Sequence, residues 1–432
     1  MEKLSFKAQK CLETAKKRGI DKALCSVTSS VVHEFNVDGG EFSLFRTLFN
    51  QSLSLTVYNK GKKGSVTLNK SDDEAIASAV ENCIALSESA LPDEAWDIAP
   101  DAGKVDFTEG QYELDTDKLF SRTEELMSDI KARHPLIMME QMIVKHTSYD
   151  SCYANTNGSE FNTKGGQYSL DLMFSAHEGD ATSSFYGSGV ICDNLDKPFI
   201  ELGTVEKDLS DVEKQIYTVP VEGKFTGTVI FPPQSLGSVL GSALSNFAGD
   251  MGILDGTSIW KDSLGKQVAD ERITIGINPL DERIICGERY TGEGFISENY
   301  DVIKNGVLDS YMLSLYVANK TGKERAKNSS FSVVMENGDT SVDDIIKGVE
   351  KGIIVGRMSG GSPANNGDFS AVAKNSFYVE NGVIKNAVSE TMINGNLADM
   401  LRNVRAISKE TICDGTSVLP YVAFDNMTVS GK

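Results

Sequence analysis

The chain has 432 residues and a formal charge of -20, from 62 Asp and Glu against 42 Lys and Arg. That excess repels phosphate, so it excludes non-specific binding to nucleic acid or to an anionic membrane surface. Hydrophobic residues at 40% and charged residues at 24% are an ordinary globular mix that can bury a real core, and the length suits two to three domains.

Residues 2–18 read as an amphipathic helix without the apolar core of a signal peptide. No apolar run approaches the roughly 20 residues of a membrane span. "ALCSVTSSVVHEFNVD" reads as a strand region, and "SLSLTVYNKGKKGSVTLN" as a hairpin turning at "NKGKKG". Ser71 and Glu74 form a capping-box signature ahead of a helix over 75–86. "SESALPDEAWDIAPDAGK" reads as an acidic surface loop, and "DTDKLFSRTEELMSDIKARH" as a second strong helix. After His134 strands follow, with Asn-Gly and Gly-Gly as turn signals.

Near residue 217 a second, hairpin-rich part begins. Asn305-Gly306 and Asn381-Gly382 each predict a two-residue hairpin. Ser341 predicts the cap of "VDDIIKGVEKG", and "NLADMLRNVRAI" reads as a helix. "SVLGSALSNFAGD" (238–250) has Val239, Leu240, Ala243, Leu244 and Phe247 at helical spacing behind a strand and Pro232-Pro233. The expected fold class is α+β: an N-terminal mixed α/β domain over 1–218, then a domain dominated by antiparallel hairpins over 219–432.

Catalytic motifs are scarce. His33, His134, His146 and His177 form no HExxH and read as structural or surface residues. No GxSxG elbow, P-loop or convincing GxGxxG is present. "GRMSGGSPANNGD" reads as a mobile loop rather than a phosphate cradle, and the glycines of "YTGEGF" name no ligand. Cys286 and Glu288 are spaced to share a strand face, which more often is coincidence than a metal site. The seven cysteines, Cys11, Cys25, Cys83, Cys152, Cys192, Cys286 and Cys413, show no CxxC or CxH pair. Reduced thiols and a cytoplasmic location are expected.

Three C-terminal stretches resemble the TldD/PmbA family, also known as modulators of DNA gyrase or U62-type peptidases. They are "VIKNGVLDSYMLSLYVANKTG", "ENGDTSVDDIIKGVEKGIIV" and, most specifically, "NNGDFSAVAKNSFYVENGVIKNAVSETMINGNLADMLRNV". "DGGEFSLFRTLFNQSLSLTVY" in the N-terminal half is compatible with the family. The resemblance implies two kinds of subunit. In the TldD kind a helix carries HExxxH, with two His as zinc ligands, Glu as general base and a Cys near the C-terminus as third ligand. Zinc there lowers the pKa of bound water so that hydroxide attacks a peptide carbonyl.

Registered on Gly249-Asp250, those positions fall on Leu240, Gly241 and Ser245 within the helix 235–250, with Cys413 near the third-ligand position. No His lies beyond His177. The chain therefore resembles the PmbA, or TldE, kind. The resemblance implies no catalytic residues and no cofactor in this chain, and zinc in a TldD-like partner. It implies a heterodimer with that partner, or a homodimer. It also implies an unfolded or short peptide bound as an added strand, with Gly367, Asp368, Phe369 and Ser370 as candidate cleft residues. The rival reading is a stand-alone homodimeric peptide-binding or scaffold protein. A third makes the chain a hydrolase in its own right, which requires Cys286, Glu288, Cys413 or His177 to converge.

Overall fold

The computed structural model describes residues 4–432; Met1 to Lys3 lie outside it, and with them the start of the expected first helix. Two sheets organise the chain, confirming the α+β class. The first has eight strands. Its centre is Lys22–Asp38 between Glu41–Asn59 and Ile137–Asn155, all antiparallel, followed by Glu160–Glu178. Four helices, Leu4–Lys17, Asp73–Ser89, Thr116–Arg133 and Val205–Glu213, bring their apolar faces to two clusters on this sheet. On the central strand Ala23, Cys25 and Val27 join one cluster and Phe35 and Val37 the other. Odd positions thus point to the helices, as a period of two requires.

The second sheet has 14 strands drawn from residues 218–430. Its strands Lys224–Phe231 and Val418–Ser430 pair antiparallel near the middle. Val229, Phe231, Val422 and Phe424 face the large core, and Ile230, Tyr421 and Ala423 face a smaller one on the opposite side. Both predicted Asn-Gly hairpins form, with positive φ at Asn305, Gly306, Asn381 and Gly382. Such angles suit the two-residue turns whose twist matches the strands.

Several local expectations change. The second helix is capped by Asp72, which accepts from Ala75 N at 2.9 Å, while Ser71 accepts from Lys7 and donates to Gln51. Adjacent capping residues compete, and tertiary partners take Ser71 out of the contest. Gly165 and Gly166 are mid-strand, not a turn. A Cβ at Gly165 would lie 2.5 Å from the Tyr149 ring, and one at Gly166 2.1 Å from the Gln111 carbonyl. The acidic loop after the second helix is also no free surface loop: Ala95, Ile98 and Ala99 are buried. "NLADMLRNVRAI" is helical only over Leu397–Arg402 and then becomes the strand Val404–Cys413.

Candidate functional site

The strand Lys224–Phe231 leads through Pro232 into the helix Pro233–Ala248. Proline is at home in a first turn, where its missing N–H is not needed. Leu236, Val239, Leu240, Ala243, Leu244 and Phe247 are buried in the large core, and Phe247 tilts against Trp260 at 4.9 Å. Ser235 donates to the Val355 carbonyl at 2.6 Å. Ser238 and Ser242 donate back to carbonyls of their own helix. Among the described residues no base addresses these hydroxyls, so none is set up as a nucleophile.

Leu240 is 1% exposed, whereas Ser245 faces solvent. The two are five residues apart, about 140° round a helix of 3.6 residues per turn. Neither side chain offers a metal donor. Gly241 lies between them and faces Phe331; a Cβ there would sit 3.4 Å from that ring. Cys413 is elsewhere engaged. Its Sγ donates to the Arg283 carbonyl at 3.2 Å and accepts from Gly415 N at 3.3 Å, and burial pushes its thiol up. Among the described residues no three His, Cys, Asp or Glu side chains are grouped to hold a metal.

The segment 367–370 begins a strand, Asp368–Lys374, paired along Asp368–Ala373 with Thr391–Asn396. Gly367 has φ +92 and packs on Phe247, and Phe369 is buried. Asp368 accepts from Asn366 at 2.7 Å and Asn396 at 2.9 Å, which hold its carboxyl below the ordinary range. Asp368 and Ser370 remain exposed. The glycine-rich loop beside them is tied to the helix by Asn246, which donates to the Ala364 carbonyl.

The other candidates form no shared site: His33 and His146 face each other on neighbouring strands, and Cys286 N donates to the Gly415 carbonyl at 3.3 Å, two residues from Cys413, but the side chains are engaged separately. His33 meets Thr47, His134 meets Glu213 and Glu206, His146 meets the Gln111 carbonyl, and His177 meets Ser175. Burial lowers the His146 pKa. Cys286 donates to Gln167, while Glu288 accepts from Ser297 and Ser329. These are fastenings between neighbouring segments.

Sequence reasoning missed Asp208. It is 4% exposed on the helix Val205–Glu213. Its carboxylate accepts from Ser188 at 2.6 Å, Thr204 at 2.7 Å and Gln234 at 2.7 Å. Gln234 belongs to the first turn of Pro233–Ala248, so this buried acid ties that helix to the first sheet. Burial pushes its pKa up to about 6, although all three donors pull the other way. A cavity of about 220 Å³ opens here, lined by Ser188, Thr204, Asp208, Gln234 and Asp414. The available signal was spacing: Asp208 falls in the apolar stripe of Val205, Leu209 and Val212.

Two family models match the chain: the PmbA/TldA metallopeptidase C-terminal domain over residues 223–431, and PmbA/TldA metallopeptidase domain 1 over residues 25–87. The chain belongs to the TldD/PmbA family. It is 25% identical over 421 residues to metalloprotease PmbA of Escherichia coli O157:H7, covering 92% of this chain and 87% of that protein. The zinc metalloprotease TldD homolog of Saccharolobus solfataricus is 24% identical over 66% of each chain. Among solved structures, TldE from Thermococcus kodakarensis superposes with a TM-score of 0.86 at 21% identity, covering 98% of this chain and 100% of the other. A putative modulator of DNA gyrase from Bacteroides thetaiotaomicron gives 0.86 at 22% identity, with both chains fully covered. These two likenesses carry the fold.

The TldD kind's zinc site does not fit the residues present. An aliphatic side chain in the core, a glycine and an exposed hydroxyl supply none of the imidazole, thiolate or carboxylate donors that zinc takes. No helix of the described residues is long and apolar enough to cross a membrane.

Proposed function

We propose that this chain is the PmbA/TldE-like component of a cytosolic TldD/TldE-type metallopeptidase acting on unfolded or short peptides. Zinc and its hydrolytic chemistry belong to a TldD-like partner, and this chain supplies substrate binding and part of the chamber wall. One observation carries the reading: the helix Pro233–Ala248 puts Leu240 into the core and Ser245 into solvent, with Gly241 between them. The exposed Asp368 and Ser370, beside the glycine-rich loop, are the proposed peptide-facing positions. Both edges of this strand are taken, by Thr391–Asn396 on one side and by Arg357–Ser359 and Ala364 on the other, so in this reading the peptide is met by the outward Asp368 and Ser370 side chains.

The test is elemental analysis of the purified chain after dialysis, followed by hydrolysis of an unstructured peptide with and without a TldD-like chain. The expected result is under a tenth of an equivalent of zinc, no hydrolysis alone, and hydrolysis that appears only with the partner. One equivalent of zinc, or hydrolysis by the chain alone, overturns the reading. Strong peptide binding with no activity alongside any TldD-like chain favours the stand-alone binding protein.

A further inference from the structure

Between the smaller apolar face of the second sheet and the helix Val205–Glu213 lies a cavity of about 300 Å³. Ile230, Ile346, Ile354, Phe377 and Ile384 supply its walls, and Lys207, Asp211, Lys214 and Tyr421 its polar lining. A mainly apolar pocket with a few convergent polar groups is the common form of a small-molecule site, usually of roughly 300–1,000 Å³. Tyr421 is 7% exposed, yet among the described residues no partner reaches its hydroxyl. Burial above all raises its pKa, with Asp211, Asp208 and Glu410 adding, so the hydroxyl stays a donor at neutral pH. A buried hydroxyl without a partner is destabilising until an acceptor meets it.

We propose that this cavity binds a small aliphatic carboxylic acid in its ionised form, with the chain among the isoleucines and the carboxylate at Lys207, Lys214 and Tyr421. The hydrogen-bond inventory selects the head group. An ammonium has three N–H donors and no acceptor. Lys207 and Lys214 each give one to a different oxygen of Asp211, Lys214 at 3.0 Å. The remaining donors of both lysines and the Tyr421 hydroxyl are left over, and two ammonium groups against one carboxylate leave an excess of positive charge. The head group must therefore accept hydrogen bonds and carry negative charge. Nearby acids are otherwise engaged: Glu410 accepts from Val342 N at 3.1 Å, and Asp208 from Ser188, Thr204 and Gln234.

A second cavity fixes the direction of the ligand. It has about 410 Å³ and shares Lys207, Asp211, Lys214 and Tyr421 with the first, but Glu201, Thr204, Glu206 and Ser210 line its far part. Acidic groups there turn an anion back, and a polar wall gives an aliphatic chain nothing apolar to pack on. The carboxylate thus stays at the border and the chain enters the apolar side. Ile230 and Tyr421 lie on the face of the sheet opposite to Val229 and Phe231, which pack with Leu240. The site is therefore separate from the helix Pro233–Ala248 and does not rest on the zinc reading.

The test is isothermal titration calorimetry of the full chain with octanoate at neutral pH. The expected result is one site with a dissociation constant of about a millimolar or below. Saturating octanoate should also raise the melting temperature, because it binds the folded chain alone. Octylamine and octanol should bind at least about tenfold more weakly, and Lys214→Gln and Tyr421→Phe should each raise the octanoate constant about tenfold without changing the melting temperature of the free chain. Lys131→Gln, exposed on another helix, should leave the constant unchanged. No binding at concentrations well above a millimolar overturns the proposal. So does octylamine or octanol binding as tightly, or a constant indifferent to Lys214→Gln and Tyr421→Phe. N-acetyl-leucine binding more tightly than octanoate overturns the free aliphatic acid as occupant and assigns the pocket to the C-terminal residue of a peptide. Zinc content and hydrolysis with a TldD-like chain are separate measurements, so that reading stands or falls without this one.

Discussion

Asp208 shows how one side chain can fasten two sheets and still weigh on stability. Its pKa is pushed from 3.8 to about 6 by burial. The folded state thus holds the proton more tightly than the unfolded chain does. Stability from that proton is complete below about pH 4 and is lost as pH rises through 6. At neutral pH the buried charge costs on the order of 3 kcal/mol at 1.36 kcal/mol per pKa unit. Asp208→Asn removes the charge and keeps a polar partner, since the Ser188 and Thr204 hydroxyls can turn to accept. Urea titrations of both proteins from pH 4 to 8 should show their stability difference changing in the variant's favour between pH 4 and 6 and levelling above. Asp208→Ala leaves three buried donors unpaired and should cost about 2–4 kcal/mol. A difference independent of pH would place the titration elsewhere.

At the scale of the element, the helix Pro233–Ala248 separates packing from lost chemistry. Leu240→Ala should cost about 2–5 kcal/mol through the cavity it leaves. Leu240→His should be as severe, because an imidazole among Val239, Leu244 and Phe247 has no partner. Ser245→His should stay within about 0.5 kcal/mol, as exposed substitutions do. Urea midpoints check all three, and a tolerated Leu240→His would show that the helix can turn that position outward. The helix itself was legible because its apolar residues recur at three and four, and the missing donors were legible because no His follows His177. The hairpins were legible because Asn-Gly pairs demand positive φ. What pairs with a strand's other side was not, because register and edges depend on segments far along the chain. The pairing of Lys62–Leu68 with Leu53–Asn59 alone and the mid-strand Gly165-Gly166 both come from that long-range pairing. Ser71 and Asp72 show the same limit at a cap, where Lys7 and Gln51 decided between two residues that local rules rank alike.

The whole molecule is fastened along the contact between its two sheets, partly by the loop that the sequence presents as free surface. Trp96 stacks between Tyr58 and Tyr316, with ring centroids 6.1 and 3.9 Å away. Asp93 accepts from Lys320 at 2.8 Å and Tyr316 at 2.9 Å, and Lys320 above all holds its carboxyl down to about 2. Further along, Glu109 of the first sheet takes Arg289 at 2.6 Å and Tyr149 at 2.5 Å, and Tyr290 enters the cluster of Phe107, Tyr153 and Phe161. Aromatic packing with charge-assisted bonds should make the two halves unfold as one unit. The chain's two tryptophans make this measurable: Trp96 reports the contact and Trp260, 1% exposed, reports the second core. Emission of Trp96→Phe and of Trp260→Phe, each compared with circular dichroism of the same protein, should give coincident urea midpoints. Glu109→Ala strands the Arg289 guanidinium and the Tyr149 hydroxyl. In the Trp260→Phe background it should bring the Trp96 transition to lower urea, ahead of the loss of secondary structure. Separate midpoints before that substitution would mean that the halves unfold independently, and coincident ones after it would mean that the Trp96 stack and not Glu109 couples them.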